Sequence, residues 1–254
     1  MVVTLSKLTL WRCFFRSLFL QAGFSSEGMQ SLGLVYALSP ALLALYPDAE
    51  RRKAAFSRHL TPFNTHPYVA AAIVGGILFH EQRLARGEEG ADEVERFKAL
   101  LMGPLAALGD GFFWLSLRPA VGALSVALVP LIGAWAVAFY VVAYNLVHFT
   151  ARWRLFRFGL ALGGALVPKL AQWRVPVWGR RLRVLAAGVV GGVASWLAVK
   201  FGVPASGWLE PALDGASLVF GVVAVFLMSR KVSPYLLLYV SAAVVIALAA
   251  FGVV

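Results

Sequence analysis

Two short apolar stretches, 66–79 and 99–117, carry polar side chains where their helices are expected to be interrupted. The segment before the first is bracketed by Pro62 and Pro67, and the second contains Gly103-Pro104 and then Gly109-Asp110-Gly111. Amide, carboxylate and imidazole groups bind ligands by donating and accepting hydrogen bonds, and aromatic faces pack on C–H groups. The side chains with this chemistry are Asn64, Thr65, His66, Glu81, Gln82, Asp110 and Trp114.

Breaks in an apolar helix have a specific meaning inside a membrane. Proline removes a backbone donor, and hydrocarbon cannot satisfy the groups that a break exposes. Broken helices are therefore tolerated where they are buried in protein or line a wet cavity, and transporters hold substrate there. The stretch 66–79 is too short to cross a bilayer, which takes about 20 residues. We predict two short re-entrant or broken helices; the alternative is a surface helix–turn–helix in which Asp110 caps a helix starting at Phe112.

The composition predicts the fold class. The chain has 254 residues, 60% hydrophobic and 14% charged, against about 25% charged in soluble domains, and its mean hydropathy is +0.78. We predict an all-α, polytopic membrane protein. The net charge of +11 fits the basic cytoplasmic loops of membrane proteins better than nucleic-acid binding. The single cysteine, Cys13, excludes an intrachain disulfide, and no Cys/His cluster has zinc spacing, so no metal or cofactor is expected.

The first 62 residues are predicted to form helices on the cytoplasmic side. Residues 6–22 have an amphipathic pattern, which fits a helix at the membrane interface or one packed on the rest of the protein. Residues 29–45 are predicted to form an apolar helix within protein. The charged run 48–59 indicates a helix with a solvated face.

The second half is predicted to consist of spans. Residues 123–147 carry no charge and are long enough to cross, with a kink at Pro130 and Asn145 near the end, where it could hydrogen-bond another helix. A basic loop, 150–183, contains no acid and is predicted to be cytoplasmic. Further spans are expected at 184–202, 213–228 and 234–254, with the loop 200–214 outside. We predict one domain, 1–254, made of parts 1–62, 63–122 and 123–254, with the N-terminal third inside and the C-terminus outside.

The motifs also carry a resemblance to a known family. They are Asn64-Thr-His-Pro67 before Glu81-Gln82, then Met102-Gly-Pro-Leu-Ala, Gly109-Asp110, Phe113-Trp114 and Leu117-Arg-Pro119. Other matching residues are Arg16-Ser17, Gln21, Met29-Gln30, Gly33, Pro40, Leu45-Tyr-Pro47, Asn145-Leu-Val147, Arg152, Lys231-Val232 and Pro234. The chain resembles the IID component of the mannose/fructose/sorbose-type sugar phosphotransferase system over nearly its whole length, more weakly between 155 and 215.

This resemblance implies a non-catalytic subunit of a phosphoenolpyruvate-dependent sugar permease in the bacterial inner membrane. The path of a hexose-type sugar would form with a IIC subunit, in a higher oligomer of IIC–IID pairs. Separate IIA and IIB proteins would carry the phosphoryl group at the cytoplasmic face. The candidate binding or translocation residues are Asn64, Thr65, His66, Glu81, Gln82, Asp110, Trp114, Arg118 and Asn145. Arg118 could pair with Asp110 or Glu81, or extend to the surface.

One departure from the family keeps an alternative open. His80 stands where the family commonly has an acidic residue, which could change sugar preference or leave a regulatory or assembly subunit without transport. A stand-alone carrier is disfavoured because we see no internal inverted repeat. A membrane enzyme is disfavoured because the sequence has no HExxH motif, no Ser/His/Asp order and no Walker-type phosphate loop.

Overall fold

The computed structural model describes residues 4–201 and 232–250, with isolated positions 219, 223, 227 and 230. This part of the chain is nearly all helical, as predicted, and its only strand-like pairs are two isolated bridges at Ser25–Met29 and Met29–Phe63. The α-helices are α1 (Lys7–Ser17), α2 (Ser31–Leu45), α3 (Ala49–His59), α4 (Ala70–Ala85), α5 (Ala91–Gly109), α6 (Arg118–Ile132), α7 (Trp135–Leu162), α8 (Leu166–Gln172), α9 (Val175–Phe201) and α10 (Pro234–Ala250). A π-helical segment (Asp110–Leu117) joins α5 to α6.

The three N-terminal helices form where the sequence predicts them. The Ser6 hydroxyl caps α1 by accepting the Thr9 N–H at 3.1 Å, and the Asp48 carboxylate caps α3 by accepting the Arg51 N–H at 2.8 Å. Such caps satisfy donors that a helix leaves unpaired at its start. Helix α1 packs on α2 and α4, and Trp11 stacks on Trp153 with ring centroids 4.2 Å apart.

Helix α4 is the centre of the packing. Every residue from 70 to 78 is buried. A Cβ at Gly75 would overlap the Phe156 carbonyl of α7, and a Cβ at Gly159 would overlap the Ala72 carbonyl of α4. Glycine lets two helix backbones approach this closely. The first predicted arm is therefore a core helix held between α7 and α5, with Gly76 against the Phe97 ring.

The second predicted arm is not broken. Residues 91–132 stay helical through α5, the π segment and α6, and the side of α5 that carries Gly103 and Pro104 is exposed. Asp110 has helical φ and ψ of −59° and −48°, so the alternative in which it caps a helix starting at Phe112 is also wrong. The irregularity takes the form of wider π turns, in which the Ser116 hydroxyl donates to the Gly111 carbonyl at 2.6 Å. The helix continues past Pro104 although proline has no N–H to donate.

The prediction that 123–147 forms one membrane-spanning helix is also wrong. Helix α6 ends at Ile132, Gly133 adopts a positive φ of 55°, and α7 starts at Trp135 and packs on α6. Glycine reaches this conformation without the steric cost other residues meet. Segment 150–183, predicted as a loop, is mostly helical.

The remaining predicted spans lie partly outside the description. Residues 184–201 belong to α9, and α10 covers 234–250. The predicted span 213–228 and the rest of the predicted outer loop lie outside the described residues, apart from isolated positions. Within the described residues, one helical stretch, Ala91–Ile132, is long and apolar enough to cross a membrane. The chain forms two compact units, Met1–Ser195 and Trp196–Val254, and every candidate site residue lies in the first.

Candidate functional site

The loop before α4 is fixed by Gln30. Its side-chain amide donates to the Thr65 carbonyl at 2.7 Å and accepts the Thr65 N–H at 3.0 Å, and its backbone N–H donates to the Phe63 carbonyl at 2.8 Å. These bonds hold residues 63–65 outside any helix, as expected for the segment bracketed by Pro62 and Pro67. Gln30 and Thr65 are both buried, and the Thr65 hydroxyl has no partner among the described residues.

The two predicted stretches meet at His66. Its imidazole lies against Gly109, where a Cβ would overlap the ring, and it stacks on Phe113 at 5.4 Å and lies 4.7 Å from Trp114. The indole of Trp114 is 44% exposed. Asp110, next to Gly109, is half-buried, and its carboxylate makes no hydrogen bond or ion pair within the described part of the chain.

Asn64 completes this edge of the site. Its side chain is exposed, and its backbone N–H points at the Met102 sulfur at 3.4 Å. The structure therefore brings Asn64, His66, Asp110 and Trp114 to one region, which offers an amide, an unpaired carboxylate and an aromatic face. We call these four residues the loop–π site.

A second group adjoins the loop–π site and includes residues that the sequence did not single out as ligands. The Tyr68 ring stacks on the His148 ring, with centroids 4.4 Å apart. The Arg152 guanidinium lies 4.7 Å from the centroid of the same Tyr68 ring. His66 lies 5.0 Å from Tyr68. We call His66, Tyr68, His148 and Arg152 the Tyr68 cluster. The spacing of His148 and Arg152, four residues apart on an apolar helix, is the signal that predicts a shared face.

Three nitrogens of the Tyr68 cluster are buried without a partner among the described residues: His66 Nε2, His148 Nδ1 and Arg152 Nε. His66 Nδ1 accepts the Tyr68 N–H at 3.2 Å, so its proton sits on Nε2. His148 Nε2 donates to Asn145 Oδ1 at 2.8 Å, so its Nδ1 is an acceptor. The cluster thus presents two free donors and one free acceptor.

Asn145 does not form the hydrogen bond to another helix that the sequence suggested. Its amide nitrogen donates to the Val141 carbonyl at 2.7 Å, and its oxygen accepts from His148. Both partners belong to α7, so Asn145 orients His148 and does not join two helices.

Glu81 lies in a separate polar group with Tyr46, Arg58 and His59, which we call the Glu81 cluster. The Tyr46 hydroxyl donates to the carboxylate at 2.6 Å, Arg58 Nε at 2.7 Å and His59 Nε2 at 2.9 Å. Glu81 and His59 are completely buried. The cluster ties α3 to α4. The charged run 48–59 was expected to face solvent, but two of its residues, Arg58 and His59, contact Glu81 instead.

The protonation states follow from burial and these contacts. Burial raises the pKa of the Glu81 carboxyl, but hydrogen bonds from His59 and Arg58 outweigh it and hold the pKa below its usual value of 4.5. Burial lowers the pKa of the His59 imidazole below 6.5 despite the neighbouring carboxylate. Burial and the charge of Glu81 raise the pKa of Tyr46. At neutral pH, an ionised Glu81 accepts from a neutral His59 and a protonated Tyr46.

The other predicted residues do not join the loop–π site. Gln82 accepts the Leu5 N–H at 3.4 Å and donates to the Leu78 carbonyl at 3.0 Å. Arg118 is exposed, and it forms no ion pair with Asp110 or Glu81. His80 Nδ1 contacts a Glu89 oxygen at 2.7 Å, so a carboxylate is present beside position 80. In the part of the chain described, no three His, Cys, Asp or Glu side chains are arranged to hold a metal ion.

Known proteins resemble the chain in sequence and in fold. A mannose-specific EIID component of Escherichia coli (strain K12) is 36% identical over 169 residues, 63% of this chain and 60% of that protein. The chain thus matches about 60% of the length of that relative. A sorbose-specific EIID component of Lacticaseibacillus casei is 30% identical over 253 residues, 92% of this chain and 89% of that protein.

A cryo-EM structure of the mannose transporter ManYZ in complex with microcin E492 contains a similar chain, with a TM-score of 0.61, 28% identity and coverage of 98% of both chains. A family profile described as PTS system mannose/fructose/sorbose family IID component matches residues 4–254. These matches confirm the resemblance found from the motifs. The chain belongs to the mannose/fructose/sorbose family of phosphotransferase-system IID components.

Proposed function

We propose that this chain is the membrane IID subunit of a phosphoenolpyruvate-dependent, mannose-family sugar permease of the bacterial inner membrane. It forms the path of a hexose-type sugar together with a IIC subunit, in an oligomer of IIC–IID pairs. Separate IIA and IIB proteins carry the phosphoryl group at the cytoplasmic face, and this chain contributes no catalytic residue. Family membership and the fold match to ManYZ support the assignment.

The observation that carries the proposal is the meeting of two distant stretches at His66 and Gly109. Asp110, whose carboxylate has no partner among the described residues, follows Gly109 directly, the half-exposed Trp114 lies against His66, and the exposed Asn64 is two residues before His66. A carboxylate and an amide bind sugar hydroxyls, and an indole packs on the C–H face of a sugar ring. A carboxylate without a partner in an apolar setting costs free energy, which a ligand can offset.

The Tyr68 cluster continues this path from His66. Among the described residues, its groups without a partner are donors on His66 and Arg152 and an acceptor on His148. A hydroxyl group can both accept and donate, so it satisfies such a set. A carboxylate or a phosphate dianion has no donor for His148 Nδ1, and it therefore fits less well. We assign the cluster to passage of the uncharged sugar rather than of a phosphorylated product.

Glu81 and Gln82 have a positioning role in this scheme. Glu81 holds α4 to α3, and Gln82 holds the start of the chain against α4. Helix α4 and the loop before it act as a re-entrant arm, and one block that carries α4, α5 and the helices packed on α4 moves relative to a scaffold to alternate access. The N-terminal third faces the cytoplasm and the C-terminus faces outside, in line with the basic segment 150–183.

Vesicle uptake of labelled mannose-type sugars tests the proposal directly. Vesicles would contain this chain with its IIC, IIB and IIA partners, and phosphoenolpyruvate as donor. A hydrogen bond to a charged group contributes roughly 1.5–3 kcal/mol and one to a neutral group about 1 kcal/mol, so Asp110→Asn should lower uptake about 2- to 30-fold.

The matched control is Asp92→Asn at the start of α5, where the carboxylate is exposed and pairs with Arg96 among the described residues. It should leave uptake unchanged. Wild-type uptake by Asp110→Asn would remove Asp110 from the path, and uptake that persists without any IIC subunit would contradict the shared path.

A further inference from the structure

An apolar cavity of about 450 Å³ lies beside the π segment. Its walls come from α5, the π segment, α7, α8 and the start of α9, and include Leu108, Phe112, Leu155, Phe158, Trp173 and Trp178. Arg154 supplies the charged group of the lining. A volume of this size lies within the range of sites that hold small ligands. The apolar walls exclude a sugar, whose hydroxyls would lose their hydrogen bonds.

The cavity has a cationic edge. Arg154 is exposed there, and the Arg181 guanidinium lies 4.9 Å from the centroid of the Trp178 ring. No acidic residue occurs anywhere from position 111 to position 209. Tryptophan and basic residues together are typical of the level of lipid headgroups, and anionic lipids attract such a surface.

We propose that this cavity binds an anionic phospholipid, with an acyl chain between α7 and α9 and the phosphate at Arg154 and Arg181. The cavity is too small for a partner's helix. One turn of a helix 10 Å wide and 5.4 Å long fills roughly 420 Å³, so the space would hold a single turn. A flexible hydrocarbon chain fills the same volume without leaving backbone groups unpaired.

The π segment gives this lipid a connection to the loop–π site. Phe112 and Phe113 line the cavity, and Phe113 also stacks on His66. Arg183 donates to the Ser116 hydroxyl at 2.6 Å, which fixes the start of α9 across the π segment. A lipid between α7 and α9 therefore supports the element that carries Asp110 and Trp114.

Native mass spectrometry of the full chain, purified with its IIC partner, tests the inference. The probes are phosphatidylglycerol and phosphatidylcholine with identical acyl chains. We expect one phosphatidylglycerol per chain, retained in preference to phosphatidylcholine. Arg154→Gln should reduce that preference about fivefold, whereas Arg157→Gln, an exposed arginine of α7 outside the cavity lining, should not.

A second variant separates the cavity from the surface charge. Ala151→Phe fills the cavity and should remove the bound phosphatidylglycerol; Leu108→Phe serves the same purpose if Ala151→Phe does not fold. Equal retention of both lipids, or a filled cavity that keeps its lipid, would overturn the inference. Absence of lipid from the complex, with lipid bound only when IIC is missing, would show that IIC covers this face and would overturn it too.

Discussion

The backbone of Gly109 lies directly against the imidazole of His66, with no room for a methyl group between them. The contact joins the loop before α4 to the end of α5, two segments more than 40 residues apart. It sets the position of the adjacent Asp110 relative to His66. The missing side chain at position 109 therefore serves packing, since the helix continues through this residue.

Gly109→Ala should destabilise the protein and lower sugar uptake. Forcing extra atoms into a packed site costs about 1–3 kcal/mol, and the displaced His66 would shift both the loop–π site and the Tyr68 cluster. The control is Gly103→Ala on the same helix, where a Cβ would meet open space; better helix propensity should leave stability equal or slightly higher. Thermal unfolding in detergent measures both. Equal unfolding temperatures for the two variants would contradict the close contact.

The sequence correctly singles out the segment around Gly109 and Asp110, but the reason it suggests, a break in the helix, is wrong. Gly103-Pro104 and Gly109-Asp110-Gly111 suggest helix breaks when only local rules are applied. The chain nevertheless stays helical, with Pro104 on the exposed side of α5 and wider π turns over Asp110–Leu117. Glycine is needed at position 109 because the His66 ring leaves no space for a Cβ. His66 is too distant in sequence for a local pattern to predict this contact.

Glu81→Gln should destabilise the protein strongly. It leaves the Arg58 guanidinium, whose side chain is 10% exposed, without its charge partner, and breaking a buried pair in this way costs about 3–5 kcal/mol. Glu88→Gln is the control, because Glu88 pairs with Arg86 at the surface and exposed pairs add little to stability. Thermal unfolding should show a large drop for the first variant and none for the second. A small drop for Glu81→Gln would mean that Arg58 finds another acceptor.

The Glu81 cluster shows what one sequence cannot reveal. The pattern correctly predicts a charged helix over 48–59, and α3 covers 49–59. In the last turn of α3, however, the Arg58 and His59 side chains donate to the Glu81 carboxylate, more than 20 residues away in sequence. Charge runs are solvated by default, and only tertiary packing decides which members are buried.

Stability should fall as the pH falls below about 6.5. The pKa of His59 is lowered in the folded protein, so the unfolded chain takes up a proton first and is favoured by acid. The lowered pKa of Glu81 acts in the same direction and adds its effect below about 4.5. Unfolding temperatures between pH 8 and pH 5 measure the first effect, and His59→Gln should flatten that part of the curve. A maximum of stability near pH 5 in the wild-type protein would contradict a neutral, buried His59.

Arg152→Met separates a ligand-binding role from a structural one. Arg152 is 7% exposed, and the described residues offer its guanidinium the Tyr68 ring but no hydrogen-bond acceptor. A buried charge without a partner costs stability, and an apolar residue of similar volume at such a site is often neutral or stabilising. If Arg152 is retained for the sugar path, Arg152→Met should keep or raise the unfolding temperature while lowering uptake at least about tenfold, the loss expected for one charged hydrogen bond. Arg157→Met, on the exposed side of α7, should change neither. A lower unfolding temperature with normal uptake would make Arg152 a structural residue. Removing a residue that stabilises the fold lowers the unfolding temperature, whereas removing one retained for ligand binding keeps or raises it and lowers uptake.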